Sequence, residues 1–273
     1  MTITSPIAAI PAAAPTVSLL SSALRPNDGA RWEGGFAWQP ERCITSQGFG
    51  PCEDPDAPDF DPEGGEVQYH FPVGYRVRNY CSTIGGPLDE ERVRRQAEAV
   101  ASFEIAKELW TGATSAANPG VDPTDGVTPL VNAHLASTDA TTVVGTGTFA
   151  ERLGQLEEAA RVAANGQQVF LHVPIHLITP VANLLTRRGQ TLYTALDSVV
   201  VADAGYPGTS PAGAAGAWIY ATGPVAVRMT EIDLEFDPTA TIDRRINRQE
   251  IWAGRLFAAI FDPCVHLAMN TAA

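Results

Sequence analysis

The sequence predicts an α+β fold, and three stretches carry that reading. Leu88 to Gly112 is a long helical pattern with no Pro or Gly before its end. A Gly/Pro-rich stretch from Arg31 to Cys81 has strand-like flanks and few helix signals. From Leu192 onward, short alternating or apolar runs bounded by turn residues predict strands.

In chain order, residues 1 to about 30 read as an arm. Ala, Pro, Ser and Thr dominate there, and such a segment buries too little apolar surface to fold alone. It reads either as a disordered tail or as an extended strand laid on a partner. It has no basic residue before Arg25, and Pro6, Pro11 and Pro15 interrupt it, so it does not read as a secretory signal. No apolar run is long enough for a membrane-spanning helix.

Within 31–81, Gly35 to Trp38 alternates on one side. Val67 to Phe71 and Tyr75 to Val77 alternate on the other. Between them, Glu53 to Glu66 holds seven acids and no base. The pattern predicts a two-stranded excursion with an acidic, proline-broken tip. An excursion of about 40 residues in a compact domain reads as a lid over a site or as an arm onto a neighbouring subunit. Its acids lack the regular spacing of a calcium loop.

In the long helix, Glu90 and Glu91 follow Asp89 at the positive end of the dipole, and Gly112 suits the residue just past the last turn. Val93, Ala97, Ala101, Ile105 and Leu109 form one apolar row; Ala99, Phe103, Ala106 and Trp110 form a second. Residues 113–147 read as loop. Thr148 and Glu151 form a capping box for a second helix with Leu153, Leu156, Ala160 and Ala163 on its apolar stripe, ended by Asn165-Gly166. Gln168 to Val173 reads as a short buried strand. A helix is expected from Thr179-Pro180 to Arg187-Arg188-Gly189. Asp197 to Ala202 is a strand. Ala217 to Ala221 and Val225 to Ile232 flank a Gly223-Pro224 turn. The last two strands are expected to pair antiparallel about Asp262-Pro263.

The chain has 273 residues, 45% hydrophobic and 18% charged, enough for one large or two small domains. Its net charge of −13 repels phosphates and anionic lipids, which argues against nucleic acid or membrane as a primary ligand. Lys107 is the sole lysine. Arginine clusters at Arg92, Arg94 and Arg95, at Arg187 and Arg188, and at Arg244, Arg245 and Arg248. They complement Glu53, Asp54, Asp56, Asp59, Asp61 and Glu63 of the acidic tip. The clusters read either as solvated surface or as ion pairs between subunits.

Of Cys43, Cys52, Cys81 and Cys264, none forms a C-x-x-C pair. Without a secretory signal the default is reduced thiols, with a Cys43–Cys52 link as the alternative. His172 and His176 lie four apart, but Pro174 between them breaks helical metal geometry, so structural histidines are expected. Cys264 beside His266 suggests a thiol–imidazole pair, against which stands the lack of any oxyanion donor nearby. No nucleophile elbow, Walker loop or dinucleotide fingerprint is present. Gly145-Thr-Gly147 before the Thr148 cap only echoes a phosphate loop. No catalytic residue, cofactor or metal is therefore expected. An arm, a long loop and a spine-like helix point instead to an assembly protein.

Several stretches resemble the major capsid proteins of tailed bacteriophages with the HK97-type fold, particularly those of actinobacterial phages. They are Arg31 to Gly35 with Gln39 to Cys43, Phe71 to Val73 with Tyr80 to Thr83, Glu104 to Gly112, Ala202 to Tyr206, Trp218 to Val225, and Phe261 to Cys264. The resemblance implies an N-arm at 1–34, an E-loop at 35–80 and an A-domain at 166–225. It also implies a P-domain with a spine helix at 81–165 and 226–273. Copies of the chain would tile hexamers and pentamers into an icosahedral shell around double-stranded DNA, without sequence-specific contacts. The product would be a virion capsid, assembled in the host cytoplasm. The short arm implies a separate scaffolding protein; a portal and decoration proteins are further implied partners. The excursion has no lysine, so no isopeptide cross-link is expected. The alternatives are an encapsulin-like nanocompartment, a soluble α/β enzyme with 35–80 as a lid, and a monomeric binding module.

Overall fold

The computed structural model describes residues 17–26, 31–40, 66–82, 90–214, 216–235, 242–243 and 248–272, with backbone alone for 79–82, 242–243 and 248–249. The chain divides into two compact units. One contains Tyr75–Ala101 with Glu231–Arg255; the other contains Val17–Gly74, Ser102–Thr230 and Leu256–Ala273. The long helix, Glu90–Thr111, contributes its first half to the former and its second half to the latter.

The larger unit is built on a seven-stranded sheet. Its order is Thr141–Thr142, His266–Asn270, Trp218–Thr222, Phe170–Pro174, Val199–Asp203, Thr191–Tyr193 and Thr186–Arg188. The two central strands, 170–174 and 199–203, are parallel and buried along their whole length, as expected where both faces are covered. On one face Leu171, Val173, Val200, Ile219, Ala221 and Met269 pack with Leu153, Leu156 and Ala160 of the helix Phe149–Ala163. On the other face lies the second half of the long helix. Trp110 meets the Tyr220 ring edge-on at 4.8 Å and the Tyr206 ring at 4.9 Å.

The helix 149–163 begins and ends as its sequence predicts. Thr148 accepts from the Glu151 amide, Glu151 accepts from the Thr148 amide, and Asn165 and Gly166 end it at φ 51° and 78°. The long helix likewise stops at Gly112, at φ 59°. Glu108 then bends back to accept from the Thr114 and Ser115 amides at 2.6 and 2.9 Å. It caps the short helix Ala113–Ala117, a helix inside a stretch expected to be loop.

In the smaller unit, the early part of the strand Arg248–Phe261 pairs with Ile242–Asp243, with Asp233–Glu235 and with Val73–Ser82. Tyr75 donates its hydroxyl to the Ala97 carbonyl at 2.9 Å, tying that strand to the first half of the long helix. In the larger unit, the end of strand 248–261 pairs with Val225–Met229. At the base of the excursion, Phe36–Trp38 pairs antiparallel with Gln68–His70, as the flanking alternation predicts. Residues 53–65 of its acidic tip lie outside the described residues.

Four expectations are corrected. Residues 17–26 are neither a tail nor a strand on a partner: Leu19 is fully buried against the chain's own larger unit. The helix expected at 179–189 is a short 3-10 helix, Thr179–Leu184, followed by a hairpin, Thr186–Arg188 with Thr191–Tyr193. Gly189, at φ 62°, opens its two-residue turn. Gly223-Pro224 and Asp262-Pro263 do not close hairpins. Each carries the chain between the seven-stranded sheet and strand pair 225–229/257–261, and the two crossings touch: Gly223 donates to Val265 and Asp262 to Pro224. Finally, Cys264 is disulfide-bonded. The expectation of reduced thiols rested on compartment, which says nothing about which cysteines a fold brings together. Cys43 and Cys52 lie outside the described residues.

Candidate functional site

The residues proposed for subunit pairing fall in three groups. Glu53, Asp54, Asp56, Asp59, Asp61 and Glu63 lie outside the described residues, as do Arg244 and Arg245; of Arg248 only the backbone is described. Arg92, Arg94 and Arg95 lie on the first half of the long helix. Arg95 pairs with Glu91 at 3.4 Å, and Arg94 donates to the Ile232 carbonyl. Arg187 and Arg188 lie on the hairpin strand 186–188. Arg188 pairs with Asp197 at 2.7 Å and stacks over Tyr193, and Arg187 donates to the Gly189 carbonyl. Arg95 and Arg188 are half-exposed with their partners, so each pair contributes at most about 1 kcal/mol to the isolated chain.

The histidines are structural. His172 is fully buried in the central strand, whereas His176 is exposed on the turn Ile175–Ile178. Thr222 spends its single hydroxyl proton on the Gly223 carbonyl at 2.8 Å. It therefore accepts from His172 Nε2–H at 2.9 Å, which leaves Nδ1 to accept from the Tyr206 hydroxyl at 2.9 Å. Both nitrogens of a neutral ring are satisfied. Burial, with the nearby His266, lowers this imidazole to about 3, and burial raises the Tyr206 phenol well above its ordinary value. His266 Nε2 faces the Leu135 carbonyl at 2.9 Å, and Cys264 is disulfide-bonded. The Thr148 helix start is filled by the Glu151 carboxylate, held below its ordinary range by the Thr148 amide and hydroxyl. No anion is needed there.

His70 differs from the others. It is buried at the base of the excursion, its Nε2 has no hydrogen-bond partner among the described residues, and burial lowers it to about 4. Beside it Glu108, Gly112, Asn132 and Phe257 enclose a cavity of about 10 Å³. That is room for one water, far below the few hundred Å³ of a small-molecule site. Among the described residues no group of three or more His, Cys, Asp or Glu is arranged to hold a metal.

The feature that sequence reading passed over is a polar and aromatic junction around Asp203. This buried carboxylate accepts from Ser102 Oγ at 2.7 Å, the Leu19 amide at 2.9 Å and the Gly205 amide at 2.9 Å. Gly205 lies so close to the long helix that a Cβ there would meet the Phe103 carbonyl at 2.3 Å. Trp110 Nε1 donates to Thr209 Oγ1 at 3.0 Å. Three of the stretches quoted for the resemblance, 104–112, 202–206 and 218–225, thus meet in one place. They are packing residues rather than reacting ones.

No family model matches the chain, and no curated protein matches it. Solved structures do. A chain from the capsid of a native GTA particle aligns over 100% of this chain and 95% of its own, with a TM-score of 0.61 at 12% identity. A chain from Mycobacterium phage Adephagia aligns over 95% and 89%, with a TM-score of 0.57 at 15% identity. A chain from the capsid of Myoviridae phage XM1 aligns over 100% and 95%, with a TM-score of 0.52 at 11% identity. From one end to the other, this α+β chain has the fold of phage capsid subunits.

Proposed function

We propose that the chain is the major capsid protein of a tailed phage, assembling as hexamers and pentamers into an icosahedral shell around double-stranded DNA. The observation that carries this reading is the two-way coverage: the likeness to capsid chains spans all of this chain and 95% of theirs. A shared local motif or single domain would leave one chain largely unmatched.

In this reading the helix 90–111 is the spine, and the paired strands 36–38 and 68–70 are the root of an E-loop spanning 35–80. Residues 81–165 and 226–273 form the P-domain, 166–225 the A-domain and 1–34 the N-arm. The shell needs no active site and no cofactor. The acidic tip would pair with arginine clusters on neighbouring subunits. Scaffolding, portal and decoration proteins would be its other partners.

Negative-stain microscopy of the chain expressed alone tests the reading. Closed shells, or separate hexamers and pentamers, are expected. A uniform population of single chains at high concentration and low salt would overturn it.

A further inference from the structure

The imidazole of His70 is buried, yet among the described residues nothing bonds its Nε2. A buried polar nitrogen left that way costs the folded chain the full desolvation of the group. The ring borders the cavity of about 10 Å³ that Val73, Glu108, Gly112, Asn132, Phe257 and Ala259 help to enclose. The nitrogen that lacks a partner and the space that could hold one are therefore in the same place.

The walls are pinned, so the cavity is held open. Asn132 clamps the residue after His70 from both sides: its Nδ2 donates to the Phe71 carbonyl at 2.7 Å, and its Oδ1 accepts from the Phe71 amide at 2.9 Å. Glu108 is fixed by the Thr114 and Ser115 amides. Gly112 sits at φ 59°, where a Cβ would meet His134 Nδ1 at 2.6 Å. Phe257 is held opposite Met229 in its strand pair. No wall can close on the imidazole without breaking one of these contacts.

The chemistry of the lining selects the occupant. A cavity walled by carbon alone stays dry, but this one brings together an imidazole nitrogen and an acidic side chain. Each Glu108 carboxylate oxygen accepts one amide and keeps a second lone pair. Burial keeps the His70 ring neutral at pH 7, so Nε2 is either a donor or an acceptor. Water serves both forms, because it carries two protons and two lone pairs. One histidine and one carboxylate are too few for a structural metal ion.

We propose that this cavity is a water-binding site, in which one buried water hydrogen-bonds both His70 Nε2 and the Glu108 carboxylate. The water joins strand 68–70, at the root of the excursion, to the last turn of the helix 90–111. It works beside the direct clamp of Asn132 on Phe71. All of these residues belong to the larger unit, and the site does not depend on the shell reading.

A structure of the full-length chain, at a resolution that shows ordered water, tests the proposal. A single peak is expected about 2.7–3.2 Å from His70 Nε2 and from a Glu108 carboxylate oxygen. It should vanish in His70→Leu, which removes the nitrogen and takes up the space. It should persist in Glu108→Gln, which keeps an acceptor. An empty cavity overturns the proposal, and so does a peak that bonds only one of the two groups. A peak at the shorter distances of a coordinated metal overturns it as well. Thermal midpoints give a second readout that needs no map. Glu108→Ala should lower the midpoint less in the His70→Leu background than in the parent chain, because the water has already gone. Equal shifts in the two backgrounds overturn the bridge.

Discussion

Two buried histidines, each of low pKa, are held in different ways, and substitution at pH 8 separates them. His172 is neutral with both nitrogens bonded, whereas His70 Nε2 has no partner among the described residues. Burial lowers His70 from 6.5 to about 4, so the unfolded chain takes up the proton first as pH falls. Stability is complete above about pH 6.5 and is lost progressively down to about pH 4, by about 3 kcal/mol for this residue. The urea midpoint should therefore fall across that window. His70→Leu should remove its share of the slope while leaving the midpoint at pH 8 little changed, since no hydrogen bond to a described residue is lost. His172→Leu should lower the midpoint at pH 8, because Tyr206 and Thr222 lose their partner, and should flatten the acid slope as well, because this imidazole is also lowered by burial. An unchanged acid slope in His70→Leu would refute this account. The His172-Val-Pro-Ile-His176 spacing shows only that a metal site is improbable. The tautomer follows from Thr222 and Tyr206, which are distant in sequence, and so needs the fold.

At the scale of elements, the junction of the two helices at Gly112 depends on Glu108. Glu108 is 7% exposed, and its carboxylate is the acceptor for two amides of the next helix. Glu108→Ala leaves both amides unpaired beside a cavity and should cost about 2–3 kcal/mol, read from the thermal or urea midpoint. Glu108→Gln, which keeps one good acceptor, should recover about half; a full-cost Gln variant would show that charge rather than acceptor count matters. Elements with a local cause were legible in the sequence: the long helix, the Thr148–Glu151 cap, the central apolar strand and the paired root of the excursion. Those set by distant partners were not. Strands 218–222 and 225–229 look like a hairpin locally, yet they join different partners, because Gly223 must pass within reach of Asp262, where a Cβ would sit 2.6 Å from the Asp262 Cβ. Phe103 fits the helical apolar row by spacing but is 42% exposed. Spacing gives a face, not what covers it. The Asp203 junction joins residues from four separate stretches, and no spacing rule connects them.

For the whole molecule the balance of charge makes the assembly reading testable. Each subunit carries −13, so copies repel one another, and added salt weakens that repulsion. Pairs between the acidic tip and arginine clusters would act in the opposite sense and weaken with salt. Raising salt from about 0.1 M to 1 M cuts the screening length from about 10 Å to 3 Å. If the pairs dominate, the denaturant midpoint for shell disassembly falls over that range. Arg187→Gln with Arg188→Gln then lowers the low-salt midpoint and flattens the dependence. Arg188 is informative here because it must exchange its exposed Asp197 partner for one on a neighbour, a change worth at most about 1 kcal/mol per subunit. Repeated around a closed shell, so small a term is still measurable, because one shell opens through many equivalent contacts. Covalent linkage would mask the effect. With its sole lysine, Lys107, in the long helix and none in the excursion, shells boiled in reducing SDS should run as a single band. A ladder of higher bands would replace ion pairing with chemistry as what holds the shell, and a midpoint that rises with salt would assign the shell to apolar contacts instead.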